Sequence, residues 1–304
     1  MRIFAKSIAG KVISLEVDPH DTVQSIKESI LNIEGIPVCQ QRLIFLGRDL
    51  ENTQSLSDAN VQNGDTIYFT TTLRGKPVIL FYPPAGSTLT NITTSVTLLH
   101  HAHSFTTLYP KPQSTATTPE AKTITWNISQ VDPDGTLTLC DDSHTKCTYL
   151  FWECTWDPQH LIVGLPALLG DPSSTMLTDG VHAAEFLAGV LDALGMTPRE
   201  RDDMVTFWLH SVMGAKHLLA RVVRQSDLEL CDVMRVGGMD GSVGVEVSVH
   251  RVCLLLHPCD KVEEEVAEKM IKRPCVPENV RGEFPIVRDP SKLNVVEWGG
   301  ILLY

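Results

Sequence analysis

The hydrophobic period changes within the first 34 residues, and that change narrows the fold more than any other feature. Residues 1–7 alternate, with Met1, Ile3 and Ala5 on one face and Arg2, Phe4 and Lys6 on the other. After Ala9-Gly10 the alternation resumes, with Ile13, Leu15 and Val17 set against Ser14 and Glu16. Two period-2 runs around a short glycine turn predict a β-hairpin with one buried face. From Thr22 the chain reads TVQSIKESILNIEG, where Val23, Ile26 and Ile30 recur at helical spacing. Thr22 suits an N-cap, and Gly35 with Pro37 supplies the stop. A helix is therefore expected to cross the hairpin's apolar face, with further strands at 41–45 and 66–71.

That order of elements is a β-grasp, and several runs carry a closer likeness. MRIFAK at the start, EGIP (34–37), QQRLIF (40–45), LSD (56–58) and LRG (73–75) resemble ubiquitin, in register and without gaps across residues 1–75. The resemblance implies an apolar partner-binding face around Ile8, Arg42, Ile44, Gly47, Tyr68 and Thr70. Strand alternation agrees for part of it, because Leu43 and Phe45 facing inward send Ile44 outward, and Ile67 and Phe69 do the same for Tyr68 and Thr70. Thr70 stands where the family has Val, which weakens apolar capture without abolishing it. The tail departs further. The run is Leu73-Arg74-Gly75-Lys76-Pro77, so the free Gly-Gly carboxylate that conjugation requires is absent, and Pro77 removes a normal scissile amide. Of the lysines at chain-building positions, Lys6, Lys11 and Lys27 remain, whereas Ser29, Ile33, Arg48 and Asn63 occupy others. Arg cannot replace Lys as an acyl acceptor, since it stays charged at any accessible pH.

The rest of the chain, 76–304, reads as a larger mixed α+β domain, and the fold class for the whole is α+β. Strand-like runs occur at 94–99, 123–131, 136–140 and 148–153, with Asp132-Pro133-Asp134-Gly135 a strong turn signal between two of them. Loops rich in Pro, Ser and Thr are expected at 83–93 and 110–122. An αα-hairpin follows. Its first helix, near 180–194, carries Phe186, Leu187, Val190, Leu191 and Leu194 on one side; its second opens on Thr197-Pro198-Arg199-Glu200, a capping box with Pro at the first position, and runs to Gly214. A strand at 243–255, a surface helix at 261–272 and a closing strand at VVEWGG complete the reading. The runs KPVILFYPP, DPDGTLTL, YLFWE, FWLHSV and VVEWGG resemble an uncharacterised family of fungal and bacterial proteins, which implies a domain but no activity.

Charge and cysteine usage exclude several classes. The 304 residues hold 25 basic and 37 acidic side chains, a net charge of −12. The first 76 residues contribute 8 − 9 = −1 and the remainder −11, so neither part suits a nucleic acid or an anionic membrane. No apolar run approaches the ~18 residues of a membrane span, and the N-terminus lacks a signal-peptide core. Eight cysteines without a CxxC pair point to reduced thiols in the cytoplasm or nucleus.

Three constellations invite a chemical reading. His101 and His103 share a strand face, but without a third ligand they read as packed or solvated histidines. Gly237-Gly238-Met239-Asp240-Gly241 reads as a hairpin turn rather than a phosphate cradle, since no Lys-Ser/Thr follows. Glu153 and Glu297 are candidates for an acid–base pair, with a hydrogen-bonded structural role favoured. No catalytic residue, metal or cofactor is assigned. The expectation is a non-conjugated adaptor whose N-terminal domain meets ubiquitin-binding domains, proteasome subunits or ligase components. The second domain then takes an unknown ligand. The alternative is an enzyme of unknown reaction in 76–304, docked or regulated through the first domain.

Overall fold

The computed structural model describes residues 1–7, 12–34, 36, 38, 41–71, 73–75, 77–99, 103–156, 171–240 and 244–303. The chain divides into two compact units, Met1–Leu73 and Arg74–Leu303.

In the first unit, β1 (Arg2–Ser7) and β2 (Val12–Glu16) pair antiparallel from Arg2 opposite Glu16 to Lys6 opposite Val12. The Ala9-Gly10 turn between them lies outside the described residues, as do Gly35 and Pro37. Helix α1 (Val23–Glu34) starts where Thr22 Oγ1 accepts the Ser25 amide at 3.3 Å. Strands β3 (Gln41–Phe45), β4 (Arg48–Asp49) and β5 (Thr66–Thr71) complete a sheet of order β2-β1-β5-β3-β4, in which β5 runs parallel to β1. The period-2 and helical apolar sets meet in one core: Ile3, Ala5, Leu15, Val23, Ile26, Ile30, Leu43, Ile67 and Phe69 are all buried. This is the β-grasp that the alternation and its change of period predict.

The second unit is built on two sheets. One has the order β13-β12-β11-β8-β17, with β10 also on β11. Its strands are β8 (Leu89–Leu98), β10 (Ser114–Thr117), β11 (Lys122–Val131), β12 (Leu137–Leu139), β13 (Lys146–Cys147) and β17 (Asp232–Gly238). In the other, β15 (Met176–Asp179), β16 (His217–Val223), β18 (Val247–Cys259) and β19 (Leu293–Leu302) stand in that order. Short strands β6 (Leu73–Gly75) and β7 (Val78–Tyr82) come next, lying between β19 and β14 (Leu150–Trp156), and β9 (Ser104–Tyr109) borders β14. Strands β18 and β19 are parallel, and all ten residues of β19 are buried. A parallel pair at the centre of a sheet is covered on both faces, so such strands read as continuous apolar runs.

The αα-hairpin forms as expected, from α2 (Ala183–Ala193) and α3 (Pro198–Val212), with Gly195 at φ +82° between them. It packs on the β19 face that carries Gly300, whose missing Cβ leaves room for Trp208: a methyl there would sit 2.9–3.1 Å from the indole. Short helices α4 (Gln225–Leu228) and α5 (Glu264–Ala267) complete the described α-helices.

Several local readings need correction. The expected loop at 83–93 is cut short by β8 starting at Leu89, and the loop at 110–122 contains β10. These Ser/Thr-rich stretches do pair, because Thr is a good strand former when a neighbour supplies the ladder. The expected helix at 261–272 shrinks to the four residues of α5, three of whose side chains are acidic or alanine with no apolar stripe to bury. The strand read as 243–255 starts at Val247 and ends at Cys259. Val243 lies outside the described residues, and Arg251–Leu256 are buried without alternation. The glycines 237 and 238 are not a turn: they pair with Thr93 and Ile92 of β8 in one sheet, whereas β18 belongs to the other, and Gly241 lies outside the described residues.

Candidate functional site

The outer face of the first sheet gathers most of the residues expected to meet a partner. Register sets Ile44 of β3 opposite Tyr68 of β5 and opposite Asp49 of β4, and sets Arg42 opposite Thr70. Directly opposed residues on one face lie about 4.5–5.5 Å apart at Cβ, so Ile44 and Tyr68 form one surface. Ile44 is half-buried, and Tyr68 is 47 % exposed with the Lys6 ammonium 6.0 Å from its ring centroid. Arg42 is held flat across the sheet by Asp49, through Nε to Oδ1 at 2.5 Å and Nη2 to Oδ2 at 2.8 Å. For Thr70 the backbone alone is described, and Ile8 lies outside the described residues.

Sequence reasoning missed Leu46. It is 83 % exposed and, with Gly47, forms the two-residue turn between β3 and β4, with φ of +50° and +77°. Both central residues at positive φ make this a type I′ turn, which suits Asn-Gly and strains a leucine. Leu46 is thus an exposed leucine in a conformation that leucine disfavours, one residue beyond Phe45. A Leu-Gly pair does not normally mark a type I′ turn, so the sequence offered only Gly47 as a weak signal.

Lysines tell a separate story. Lys27 is buried, donates to Asn52 Oδ1 at 2.7 Å, and burial holds its ammonium below the usual lysine range. An amine so enclosed cannot reach an acyl donor, and Lys11 lies outside the described residues.

The second unit does not assemble the acid–base pair. Glu153 accepts from Thr107 Oγ1 at 2.7 Å, while Glu297 accepts from the Trp152 indole at 3.0 Å and from Arg251 Nε at 2.5 Å. Neighbours on a strand point to opposite faces, so Glu153 and the Trp152 ring that touches Glu297 diverge. Of the histidine run, His100 and His101 lie outside the described residues; His103 is buried, and its carbonyl accepts from Lys122 Nζ at 2.6 Å. Among the described residues no cluster of three His, Cys, Asp or Glu side chains could hold a metal.

Comparison with known proteins agrees with the first unit. Residues 3–74 match the ubiquitin family. The ubiquitin-like protein NEDD8 of Dictyostelium discoideum is 39 % identical over 75 residues, 25 % of this chain and 97 % of that protein. The NEDD8-like protein RUB1 of Saccharomyces cerevisiae is 40 % identical over 75 residues, again 25 % of this chain and 97 % of its own length. AN1-type zinc finger protein 4 of Mus musculus is 37 % identical over 78 residues, and the match spans 11 % of that longer protein. Sequence likeness, the β-grasp and the outward face of β3 and β5 converge on one assignment: through residues 3–74, this chain belongs to the ubiquitin family.

Proposed function

We propose that the ubiquitin-like domain is a permanent, non-conjugated docking module of an adaptor, offering the Ile44–Tyr68 face to ubiquitin receptors, proteasome subunits or ligase components. The observation that carries this reading is the fate of the tail. Leu73–Gly75, which in a modifier would end the chain as a free carboxylate, form strand β6, and Gly75 pairs opposite Ile301 of β19. Lys76 and Pro77 follow in the sequence, so the peptide continues directly into the second domain. A tail whose backbone is taken up in a sheet ladder is not presented as a nucleophile acceptor or a protease site. The second domain, 76–304, then brings its own ligand to whatever the first domain meets, in the cytoplasm or nucleus where that machinery works.

Two experiments test the two halves of the proposal. Incubated with ATP and a ubiquitin- or NEDD8-activating enzyme, the full chain is expected to form no thioester; a thioester-linked product would show that the tail can be freed and used. For the docking half, full-length protein is passed over an immobilised ubiquitin-interacting helix, with Ile44→Ala alongside. Truncation removes about three buried carbons at ~0.8 kcal/mol each, about 2 kcal/mol in all, so capture should weaken roughly 30-fold. Equal retention of both proteins would rule out this face.

A further inference from the structure

Three buried charges link the two sheets of the second unit. Arg251 of β18 donates through Nε to Glu297 Oε2 of β19 at 2.5 Å and through Nη2 to Asp232 Oδ1 of β17 at 2.5 Å, while Nη1 reaches the Asp232 carbonyl at 3.3 Å. The side chains of Asp232, Arg251 and Glu297 are 1 %, 4 % and 4 % exposed. Both Glu297 oxygens are occupied, the second by the Trp152 indole at 3.0 Å. Asp232 Oδ2 is buried and accepts from no group among the described residues. Beside it is a cavity of about 20 Å³, lined among others by Trp152, Asp232, Arg251, Cys253 and Glu297. That space admits one water and excludes an organic ligand.

The charges do not balance. Two carboxylates against one guanidinium leave a net negative charge in a medium where an uncompensated ion is strongly disfavoured. Among the described residues facing Asp232, none adds a second cation. Arg251 and Cys253 approach from β18 and Glu297 from β19; Cys231 adjoins it in sequence, and Glu229 adds a negative field from the segment before β17. From β14 comes the neutral Trp152 indole, already committed to Glu297.

We propose that this triad is a proton-binding site, in which Asp232 carries a proton on Oδ2 in mildly acidic solution and gives it up towards neutrality, loosening the seat of β17 against β18 and β19. Burial, opposed by Arg251 and reinforced by Glu297, pushes the Asp232 carboxyl up to about 6. An unfolded chain titrates this group near 3.9. The folded protein thus holds the proton more tightly than the unfolded one. The stability it contributes is complete below about pH 4 and is lost as the pH rises through about 6. A shift of about two pH units corresponds to roughly a 100-fold change in the folding constant.

The test is denaturant unfolding of the full chain from pH 4 to 7.5, followed by tryptophan fluorescence, for wild type and Asp232→Asn. All five tryptophans lie beyond residue 125, so this signal reports the second unit. Asn keeps an oxygen for Arg251 and cannot ionise. The ratio of folding constants, variant over wild type, is expected to rise roughly 50-fold from pH 4 to 7.5, since the unfolded group is already about half ionised at pH 4 and contributions of distant carboxylates cancel in the ratio. A ratio independent of pH overturns the proposal. Should Asp232→Asn fail to fold, carbon-13 NMR of the wild type with labelled aspartate carboxyls decides. One aspartate is expected to titrate near pH 6, well above the exposed ones near 4, and no aspartate titrating above pH 5 overturns the proposal equally.

Discussion

Replacing Arg251 with Met is expected to lower the melting temperature of the second unit by about 6–20 °C at pH 7. The substitution keeps most of the side-chain volume and removes only the guanidinium. Asp232 and Glu297 then remain buried without their shared cation, with the Asp232 Oδ1 and Glu297 Oε2 acceptors both empty. Breaking a buried ion pair from one side destabilises by about 3–5 kcal/mol, because the stranded charge keeps its desolvation penalty. At roughly 2–4 °C per kcal/mol for a domain of this size, the shift is well outside measurement error. The triple variant Asp232→Leu, Arg251→Met, Glu297→Leu should melt far above the single one, because it removes the charges together. Tryptophan fluorescence during a thermal scan measures both. A single variant within 2 °C of wild type would mean that the three groups are hydrated in solution, and the packing described for them would be wrong.

How much of this was readable beforehand follows from the distance over which each feature is encoded. The first unit was legible almost strand by strand, since its hairpin, helix and cap depend on spacings of two to four residues. Its outward face, the one proposed for a partner, was legible from strand alternation as far as Ile44 and Tyr68. Leu46 escaped, because a turn type is set by backbone angles that a Leu-Gly pair does not normally signal. In the second unit the αα-hairpin and the Asp132–Gly135 turn were equally local and equally clear. The sheets were not. Gly237-Gly238 looks like a turn until Thr93 and Ile92 of β8 supply the ladder, and the partner is more than a hundred residues earlier. Arg251 follows the alternation of Val247, Ser248, Val249 and His250 and opens the apolar run from Val252, and nothing nearby announces that Asp232 and Glu297 close on it. Glu297 did draw notice as a carboxylate beside a tryptophan. Its tryptophan partner is instead Trp152, 145 residues away in sequence.

Glu200 joins the local and the distant in one side chain, and its substitution should separate them. The Thr197–Glu200 capping box is present: Thr197 Oγ1 accepts the Glu200 amide at 3.3 Å, and Glu200 Oε2 accepts the Thr197 amide at 2.7 Å. The same carboxylate, fully buried, also accepts from Tyr82 Oη at 2.7 Å and from Arg288 Nη2 at 2.9 and 2.6 Å. Arg288 lies with its guanidinium carbon 5.2 Å from the Tyr82 ring centroid and donates to the Gly195 carbonyl at 3.0 Å. Burial, followed by the bond to Glu200, pushes the Tyr82 phenol far above its ordinary range, so it remains a donor at every pH the fold tolerates. One residue thus ties the start of α3 to β7 and to the segment before β19. Glu200→Ala loses the cap and strands Arg288, which is 22 % exposed, with an expected loss of about 3–5 kcal/mol. Glu200→Gln can still complete the box, since Gln serves at that position, but it offers Arg288 no charge. Its expected loss is smaller, about 1–3 kcal/mol, the range for a charged hydrogen bond. Denaturant midpoints of the two variants give the division directly. Equal losses would assign the whole effect to the ion pair and none to the cap. A Gln variant as stable as wild type would show that Arg288 is held by Tyr82 and Gly195 without needing the carboxylate's charge.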